Sequence, residues 1–341
     1  MAHDRDSEAG SKVQTFGLSK ASSIDTATRA QILDNIKAKG DALGIGLKTE
    51  SGGRMEGRVG VITGVGPLDG IGTATAELFA QEGAKHMYLL DMQEQPLVNM
   101  KEWMENRYPH TKITTIVGDS SSSKTISQLI ERIVNEEGRL DFYFANAGIH
   151  HKQTIPKPLS TTDPAVPPPT PGSNEGPKVA AGKAMVELKE FLKPIDQVEE
   201  EEFMEVIRMN TLGAFLAIKY ASQAMSIVAP EKGKMIPGGS IVLTSSIAGL
   251  KAKAGTIAYS AAKAAINSLT QTSAYEMIGK NVRINSIAPC FIETDMTKAL
   301  FTLSKAGGSY DSMGLSILYK DRDLLLISRC DGKLTYCDYT K

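Results

Sequence analysis

The sequence predicts an α/β protein whose main domain is built on a doubly wound parallel sheet with helices on both faces. From Gly57 onwards, short apolar runs without polar alternation recur between longer segments of helical periodicity. This alternation is typical of parallel strands that are buried on both faces. A glycine-rich turn joins the first apolar run to the first helix, as at the start of a βαβ unit. The 341 residues, 41% of them hydrophobic, suffice for one large core.

The apolar runs define six predicted strands, and the segments between them define the helices. The predicted strands are 59–62, 87–90, 113–117, 140–144, 240–244 and 282–287. The predicted helices of the domain are 71–81, 94–107, 124–137, 200–228 and 258–279. A further amphipathic helix is predicted over 25–39, because Asp25 suits its N-cap and Gly40 its end.

Three segments depart from this alternation and set the predicted domain boundaries. Residues 1–55 form a polar N-terminal extension, and residues 56–300 form the α/β domain. Within the domain, residues 151–194 hold nine of the fifteen prolines, which predicts an extended or disordered insertion. Residues 301–341 form a tail without the βα rhythm, in which 324–339 is predicted to be a β-hairpin around a tight turn.

Composition and charge exclude several classes of function. A net charge of −1 provides no basic surface for nucleic acid. No apolar run approaches the roughly 18 residues of a membrane span, and the N-terminus lacks the order of a signal peptide. The three cysteines form no CxxC pair and are odd in number, so we expect neither a metal site nor a disulfide framework. A reduced, cytoplasmic location is the default expectation.

The turn after the first strand predicts a phosphate-binding site. It contains Gly66, Gly70 and Gly72, with Ile71 opening the helix. Without side chains in the turn, backbone amides and the helix N-terminus can approach a pyrophosphate closely. Glycines also serve ordinary turns, so the prediction depends on the strand–turn–helix context.

Asp91, at the end of the second strand, indicates which dinucleotide would bind. A carboxylate about twenty residues after the glycine turn can accept hydrogen bonds from the adenosine ribose and repel a 2′-phosphate. Its neighbours Met92 and Gln93 offer no cation for such a phosphate. The pattern favours NAD over NADP, although Asp91 could instead be the N-cap of the next helix.

A second group of residues suggests hydride-transfer chemistry. Tyr259 and Lys263 lie four residues apart on a predicted helix and share one face. Ser246 precedes Tyr259 by 13 residues and follows a strand, where ligands of open α/β sheets bind. Reduction of a carbonyl requires a proton donor, and a neighbouring ammonium would make a tyrosine more acidic. A serine hydroxyl can hold the carbonyl oxygen, and Ser245 competes with Ser246 for that role.

In the order and spacing of these motifs, residues 57–300 resemble the short-chain dehydrogenase/reductase family. The motifs are VITG at 61–64, GIG at 70–72, Asp91, Asp119, ANAG at 145–148, Asn210, Ser246 and YSAAK at 259–263. The resemblance implies a Rossmann-like fold and an NAD(P)-dependent oxidoreductase that interconverts a secondary alcohol and a ketone or aldehyde. It implies a small-molecule substrate and a homodimer or homotetramer formed through helices 200–228 and 258–279.

The resemblance also implies roles for individual residues. Tyr259 would be the general acid/base, Lys263 the ribose anchor and the cation that lowers its pKa, Ser246 the carbonyl-orienting group, and Asn210 the holder of a relay water. Asp119 would contact the adenine and Thr294 the nicotinamide carboxamide. The full set of expected cofactor contacts is Gly64, Gly66, Gly70, Ile71, Gly72, Asp91, Asp119, Asn146, Ala147, Gly148, Tyr259, Lys263 and Thr294. Asn210 could alternatively cap or kink its helix, and Asp119 could be an ordinary loop cap.

The chain departs from the family pattern at three places. Five residues separate the Thr-Gly pair from the GIG motif where the family has three, so either Gly66 replaces the first glycine or the turn bulges. Cys290 stands where the family has a glycine, and a positive φ there would strain it. The tail lacks the family's last strand, and with the long insertion this favours an alternative hypothesis, a non-catalytic NAD(H)-binding protein. His150 and His151 are interpreted as loop residues rather than substrate contacts.

Overall fold

The structure, a computed structural model, describes residues 53–306 apart from residues 68, 152–192, 253 and 293. All of the described residues belong to one compact unit, Lys48–Lys341. The predicted helix 25–39, nearly all of the proline-rich insertion and the predicted hairpin 324–339 lie outside the described residues. Across the described part of the chain, no helix has the length and apolarity that crossing a bilayer requires.

The structure confirms the predicted alternation of strands and helices. The strands are β1 (Val59–Thr63), β2 (His86–Asp91), β3 (Lys112–Val117), β4 (Phe142–Ala145), β5 (Gly239–Thr244) and β6 (Val282–Ile287). The α-helices are α1 (Ile71–Gln81), α2 (Glu94–Arg107), α3 (Ser123–Glu137), α4 (Glu200–Ile207), α5 (Gly213–Met225), α6 (Ile257–Glu276) and α7 (Lys298–Ala306). The last helix runs past residue 300, where the sequence places the start of the tail.

The six strands form one parallel sheet in the order β3-β2-β1-β4-β5-β6. The chain winds outwards from β1 in one direction through β2 and β3, and then in the other direction through β4, β5 and β6. This reversal opens a crevice at the carboxyl ends of β1 and β4, which is where ligands of doubly wound sheets bind.

Alternate strand residues feed two separate cores, one on each face of the sheet. On β1, Val59 and Val61 pack into the core that α3, α5 and α6 cover, while Ile62 packs into the core beneath α1 and α2. On β2, Tyr88 packs into the first of these cores and Met87 into the second. Because successive side chains of a strand point to opposite faces, a sheet covered on both sides needs continuous apolar runs rather than alternation.

One predicted helix is divided in the structure. The sequence predicts a single helix over 200–228, but a π-helical segment, Arg208–Leu212, separates α4 from α5, and α5 ends at Met225. A π turn holds one residue more than an α turn, and such turns occur often at functional sites. Hydropathy periodicity did not reveal it, because apolar residues continue on both sides of the segment.

Candidate active site

Two glycines allow the end of β1, the start of α1 and the end of β4 to approach each other. Gly64 has a φ of +73°, and a Cβ there would lie 2.7 Å from the Cα of Ala147. A Cβ on Gly72 would overlap the carbonyl oxygen of Gly64. No other residue type fits either position, because any side chain would collide with backbone.

The longer turn between β1 and α1 has its own internal bonds. The Thr73 hydroxyl lies 2.7 Å from the Pro67 carbonyl and 3.0 Å from the Val65 carbonyl, which share its single proton, and the Gly70 N–H also donates to Pro67 (3.0 Å). These bonds tie Val65 and Pro67 of the turn to the start of α1. No side chain caps α1 at Gly70, and its first turn carries no acidic residue. The amides of that first turn thus remain suited to an anionic group.

Asp91 binds this turn directly. Its carboxylate accepts hydrogen bonds from the N–H groups of Gly66 (2.8 Å) and Gln93 (3.0 Å). A Cβ on Gly66 would lie 3.0 Å from the carboxylate atoms of Asp91. Of the two alternatives for the lengthened turn, this contact favours Gly66 as the glycine that meets the end of β2. The second bond, to the residue two positions on, is of the Asx-turn type. The N-cap of α2 is Gln93, so the alternative prediction of Asp91 as that N-cap is wrong.

Asn146 ties together the carboxyl ends of three strands. Its side-chain amide donates to the Gly64 carbonyl (3.0 Å), and its side-chain oxygen accepts from the Thr244 hydroxyl (3.1 Å). The backbone N–H groups of Asn146 and Ala147 both donate to the Thr63 hydroxyl (3.1 Å each). The ANAG segment therefore forms the floor of the crevice, between the glycine turn and β5.

Ser246, Tyr259 and Lys263 meet at the carboxyl end of β5. Lys263 is 2% exposed; its Nζ donates to the Thr244 carbonyl (2.8 Å) and lies 5.2 Å from the centre of the Tyr259 ring. The Ser246 hydroxyl is near enough to the Tyr259 hydroxyl to lower the pKa of the tyrosine. Ser245 points elsewhere, because its hydroxyl donates to the Lys263 carbonyl (3.0 Å). Of the two serines, Ser246 is therefore the one directed at the tyrosine.

Burial dominates the titration of both catalytic candidates. It raises the pKa of Tyr259 to about 12, while the Ser246 hydroxyl opposes that rise. It lowers the pKa of Lys263 to about 7, since its ammonium is removed from water. The expected acidification of the tyrosine by the lysine is therefore outweighed in this structure by the desolvation of both groups.

Asn210 lies in the π segment and approaches Lys263 across Gly148. Its amide nitrogen donates to the carbonyls of Ile149 (2.7 Å) and Val206 (2.9 Å), while its Oδ1 is buried without a partner. A Cβ on Gly148 would overlap that Oδ1 and would lie 3.3 Å from Lys263 Nζ. A buried acceptor without a donor is uncommon and is typically satisfied by water.

The remaining predicted contacts lie around the rim of the crevice. Asp119 accepts from the Ser121 N–H (2.7 Å) and from Arg208 (2.6 Å); burial raises its pKa, but these bonds outweigh that effect and lower it overall. Thr294 caps a short 3₁₀ turn through a reciprocal capping box with Thr297. Cys290 is exposed. Among the described residues other than glycine, only Asn281 has a positive φ. The backbone strain that the sequence suggested at Cys290 is therefore absent.

The two histidines after β4 contact each other and the start of α6. A ring nitrogen of His151 lies 2.8 Å from one of His150, and burial lowers the pKa of His150 to about 4. The His150 carbonyl accepts from the Thr256 hydroxyl (3.0 Å), which also caps α6 at the Tyr259 N–H (3.2 Å). These bonds connect the histidine loop to the helix that carries the tyrosine.

Sequence reasoning missed Arg208, although it contacts one of the predicted residues. Its guanidinium reaches Asp119 and Ser121 in the loop after β3, 89 residues away in the chain from Asp119. The only available signal was a basic residue two positions before Asn210. Without the tertiary structure, that signal does not identify the acid with which Arg208 pairs.

Comparison with known proteins agrees with this geometry. The family model for short chain dehydrogenase matches residues 58–164 and 181–304. A 3-oxoacyl-acyl-carrier-protein reductase of Thermotoga maritima is 31% identical over 247 residues, which is 72% of this chain and 79% of that protein. Levodione reductase of Leifsonia aquatica is 29% identical over 245 residues, covering 72% and 73%.

Solved structures show the same likeness. The crystal structure of levodione reductase matches with a TM-score of 0.56 and 27% identity over 76% of this chain and 81% of that one. NAD⁺-bound xylitol dehydrogenase matches with a TM-score of 0.54 and 25% identity over 74% and 78%. The fold, the order of the motifs and these matches lead to one conclusion: the chain belongs to the short-chain dehydrogenase family, whose members are NAD(P)-dependent oxidoreductases of small molecules.

Proposed function

We propose that this protein interconverts a secondary alcohol and the corresponding carbonyl compound with NAD, using Tyr259 as the general acid/base. The observation that carries the proposal is the convergence of Ser246, Tyr259 and Lys263 at the carboxyl end of β5, with Asn210 across Gly148. A buried hydroxyl pair beside a buried amine suits proton transfer at an oxygen atom.

In the reductive direction, Ser246 and Tyr259 would hold the carbonyl oxygen between their hydroxyl groups. As a hydride reaches the carbonyl carbon, the oxygen gains negative charge and takes the proton of Tyr259. A pKa of about 12 keeps that proton on Tyr259 at neutral pH, which suits an acid rather than a base. The oxidised nicotinamide ring carries a positive charge, which would favour the tyrosinate needed in the reverse direction.

Lys263 and Asn210 would return the proton to the tyrosine. Lys263 Nζ has one carbonyl partner at 2.8 Å, which leaves other positions around the nitrogen for a ribose hydroxyl or water. The unpartnered Oδ1 of Asn210 is a suitable acceptor for a water on the same path. Protons would then pass between Tyr259 and solvent through the Lys263 amine and a water held at Asn210 Oδ1.

The crevice has the features that a dinucleotide requires. Gly64 and Gly72 leave the backbone bare, and α1 begins without a side-chain cap or an acidic residue. These features fit a pyrophosphate at the helix N-terminus. Asp91, held against the turn by Gly66, would disfavour a 2′-phosphate through charge repulsion, so we infer a preference for NAD over NADP.

A second candidate function is NAD(H) binding without turnover. In the described part of the chain, β6 is an edge strand, paired on one side with β5. An open side next to the catalytic group would let water reach the substrate position, which weakens electrostatic catalysis. The complete Ser246, Tyr259, Lys263 and Asn210 set favours the catalytic candidate.

We infer that the protein forms a homodimer or homotetramer. The region of α4, the π segment and α5 exposes Met204, Leu212 and Phe215, which are 52%, 38% and 44% exposed. Large apolar side chains on one helical layer are typical of subunit interfaces. Size-exclusion chromatography with light scattering would measure the mass, and a monomer at micromolar concentration would refute this inference.

The proposal is tested by cofactor titration and by Tyr259→Phe. We expect NADH to bind more tightly than NADPH by fluorescence titration, and a screen of secondary alcohols and ketones to give turnover. Y259F should lower turnover by about 10³-fold while NADH binding remains, because only the transferable proton is lost. Equal turnover by Y259F would refute the catalytic role, and NADH binding without any turnover would favour the second candidate.

A further inference from the structure

Arg208, the first residue of the π segment, bridges two parts of the crevice. Its Nη1 donates to Asp119 Oδ2 (2.6 Å) and to the Ser121 hydroxyl, both in the loop that follows β3. Its Nε and Nη2 donate to the two carboxylate oxygens of Glu205 on α4 (2.8 Å each). The planar guanidinium is thus fixed on one side by its own helix and on the other by the loop.

Two further contacts join the π segment to the same loop. The Ser121 hydroxyl also lies 3.4 Å from the sulfur of Met209, which precedes Asn210. At the far end of the segment, a Cβ on Gly213 would lie 3.4 Å from the Ser120 hydroxyl oxygen, so the loop packs closely on the backbone there. The loop after β3, residues 118–122, therefore contacts the first two residues of the segment and the residue directly after its end.

Asn210 depends on the shape of this segment. Its amide nitrogen bonds the carbonyls of Ile149 and Val206, and its Oδ1 lies beside Gly148, close to Lys263 on the other side of that glycine. Asn210 is the central residue of the π segment, so a change in the shape of that turn would move its side chain. A π turn has poorer hydrogen-bond geometry than an α-helix, and it persists where surrounding contacts stabilise it. Arg208 supplies the charged part of those contacts, beside the hydrogen bonds of Asn210 to Ile149 (2.7 Å) and of the Thr211 hydroxyl to the Ala262 carbonyl (3.3 Å).

We propose that Arg208 is a positioning residue: by clamping the π segment to the loop 118–122, it holds Asn210 in register with Lys263. The inference rests on the proposed function for its catalytic consequence, but the clamp itself involves only this chain. Asp119 then serves as the anchor of the clamp as well as a neighbour of the cofactor crevice.

Hydrogen exchange in the cofactor-free protein tests the clamp directly. We expect amides in a peptide covering 206–214 to exchange about tenfold faster in R208M and in D119N than in the unmodified protein, because each variant removes one side of the same ion pair. Arg132→Met is the matched control, since it removes a guanidinium–carboxylate pair with Glu136 on α3, away from the segment. R132M should leave that peptide unchanged.

Steady-state kinetics test the consequence for catalysis. We expect R208M and D119N each to lower kcat about tenfold, and the double variant to lower it no further than the single variants, because both break one interaction. R208K should recover only part of the rate, since an ammonium cannot reproduce the forked contacts. R132M should keep the unmodified kcat.

The outcomes separate the two proposals. Unchanged exchange over 206–214 in R208M, or unchanged kcat with only a lower melting temperature, would overturn the positioning role and leave Arg208 a purely structural residue. Absence of turnover in the unmodified protein would instead contradict the proposed function. In that case the exchange experiment still decides whether Arg208 holds the segment, because it needs neither substrate nor cofactor.

Discussion

Two buried lysines lie at opposite ends of β5, and their surroundings differ. Lys234 lies at the amino end, 5% exposed, and its Nζ donates to the carbonyls of Leu140 (3.0 Å) and Met225 (2.9 Å). Lys263 lies at the carboxyl end, 2% exposed, and donates to one carbonyl, that of Thr244. Burial lowers the pKa of both, but the carboxylate of Asp141 partly opposes that shift at Lys234 alone.

This difference is the one expected between a lysine that stabilises the fold and a lysine that takes part in the proposed catalysis. Lys234 satisfies the carbonyl at the end of α5 and the carbonyl that precedes β4, so its desolvation is offset by two hydrogen bonds and a nearby negative charge. Lys263 lacks such compensation in the described structure. Groups that are buried and poorly compensated cluster at functional sites, where the missing partner is supplied during the reaction.

The largest effect is expected from Lys263→Met. Turnover should fall by about 10³-fold, because the methionine cannot pass a proton or hold a ribose hydroxyl. Its free energy of unfolding should nevertheless rise by about 1 kcal/mol at pH 6.5, since an apolar side chain replaces a desolvated charge. Initial rates and denaturant unfolding measure the two quantities; a loss of stability in K263M would erase the proposed contrast with Lys234.

Lys234→Met should show the opposite pattern. Its free energy of unfolding should fall by about 2 kcal/mol, because the carbonyls of Leu140 and Met225 each lose a charged donor and the Met225 carbonyl keeps only the Gly238 N–H, while turnover stays within about twofold. The same unfolding and rate measurements apply. If K234M lost turnover while its free energy of unfolding stayed unchanged, Lys234 would be needed for activity rather than for stability. The contrast between the two lysines would then be wrong.

The smallest effect is a dependence of the K263M stability gain on pH. The folded pKa of Lys263 is lowered from 10.5 to about 7. Below pH 7 both states carry the charge, so the cost of burying it is fully present. Between pH 7 and 10.5 the unfolded state binds the proton that the folded state has released, so the unmodified protein gains stability relative to K263M. The difference in melting temperature should therefore shrink from pH 6 to pH 9, and a constant difference would argue against a charged Lys263.

The fold was predictable from the sequence because both faces of the sheet are buried. Continuous apolar runs such as Val59–Ile62 distinguish a strand covered on two sides from one that faces water. The glycine turn after β1 indicated that a helix follows this strand, as at the start of a βαβ unit. The π segment was not predictable, because apolar residues continue on both sides of it and its contacts through Arg208 are with a loop far away in the sequence.

The sequence motifs indicated which residues form the candidate site, but not their pKa values or their pairing. The i, i+4 spacing correctly placed Tyr259 and Lys263 on one face of α6, where the amine lies over the ring. The direction of their pKa shifts depends on how deeply the sheet and α6 bury them, which spacing does not encode. For the same reason, the pairing of Asp119 with Arg208 required the structure.

The π segment also constrains how the gene can change length. A π turn holds one residue more than an α turn, so deleting one residue from Arg208–Leu212 would leave a continuous α-helix whose two parts keep their orientation. The apolar face of α5, which packs in the core through Ala217 and Ala221, would stay in place. The same deletion within α4 or α5 would rotate one part of the helix by about 100° relative to the other, because each α-helical residue turns the chain by that angle. At the π segment, the deletion would change the position of Asn210 while the packing of the core is kept.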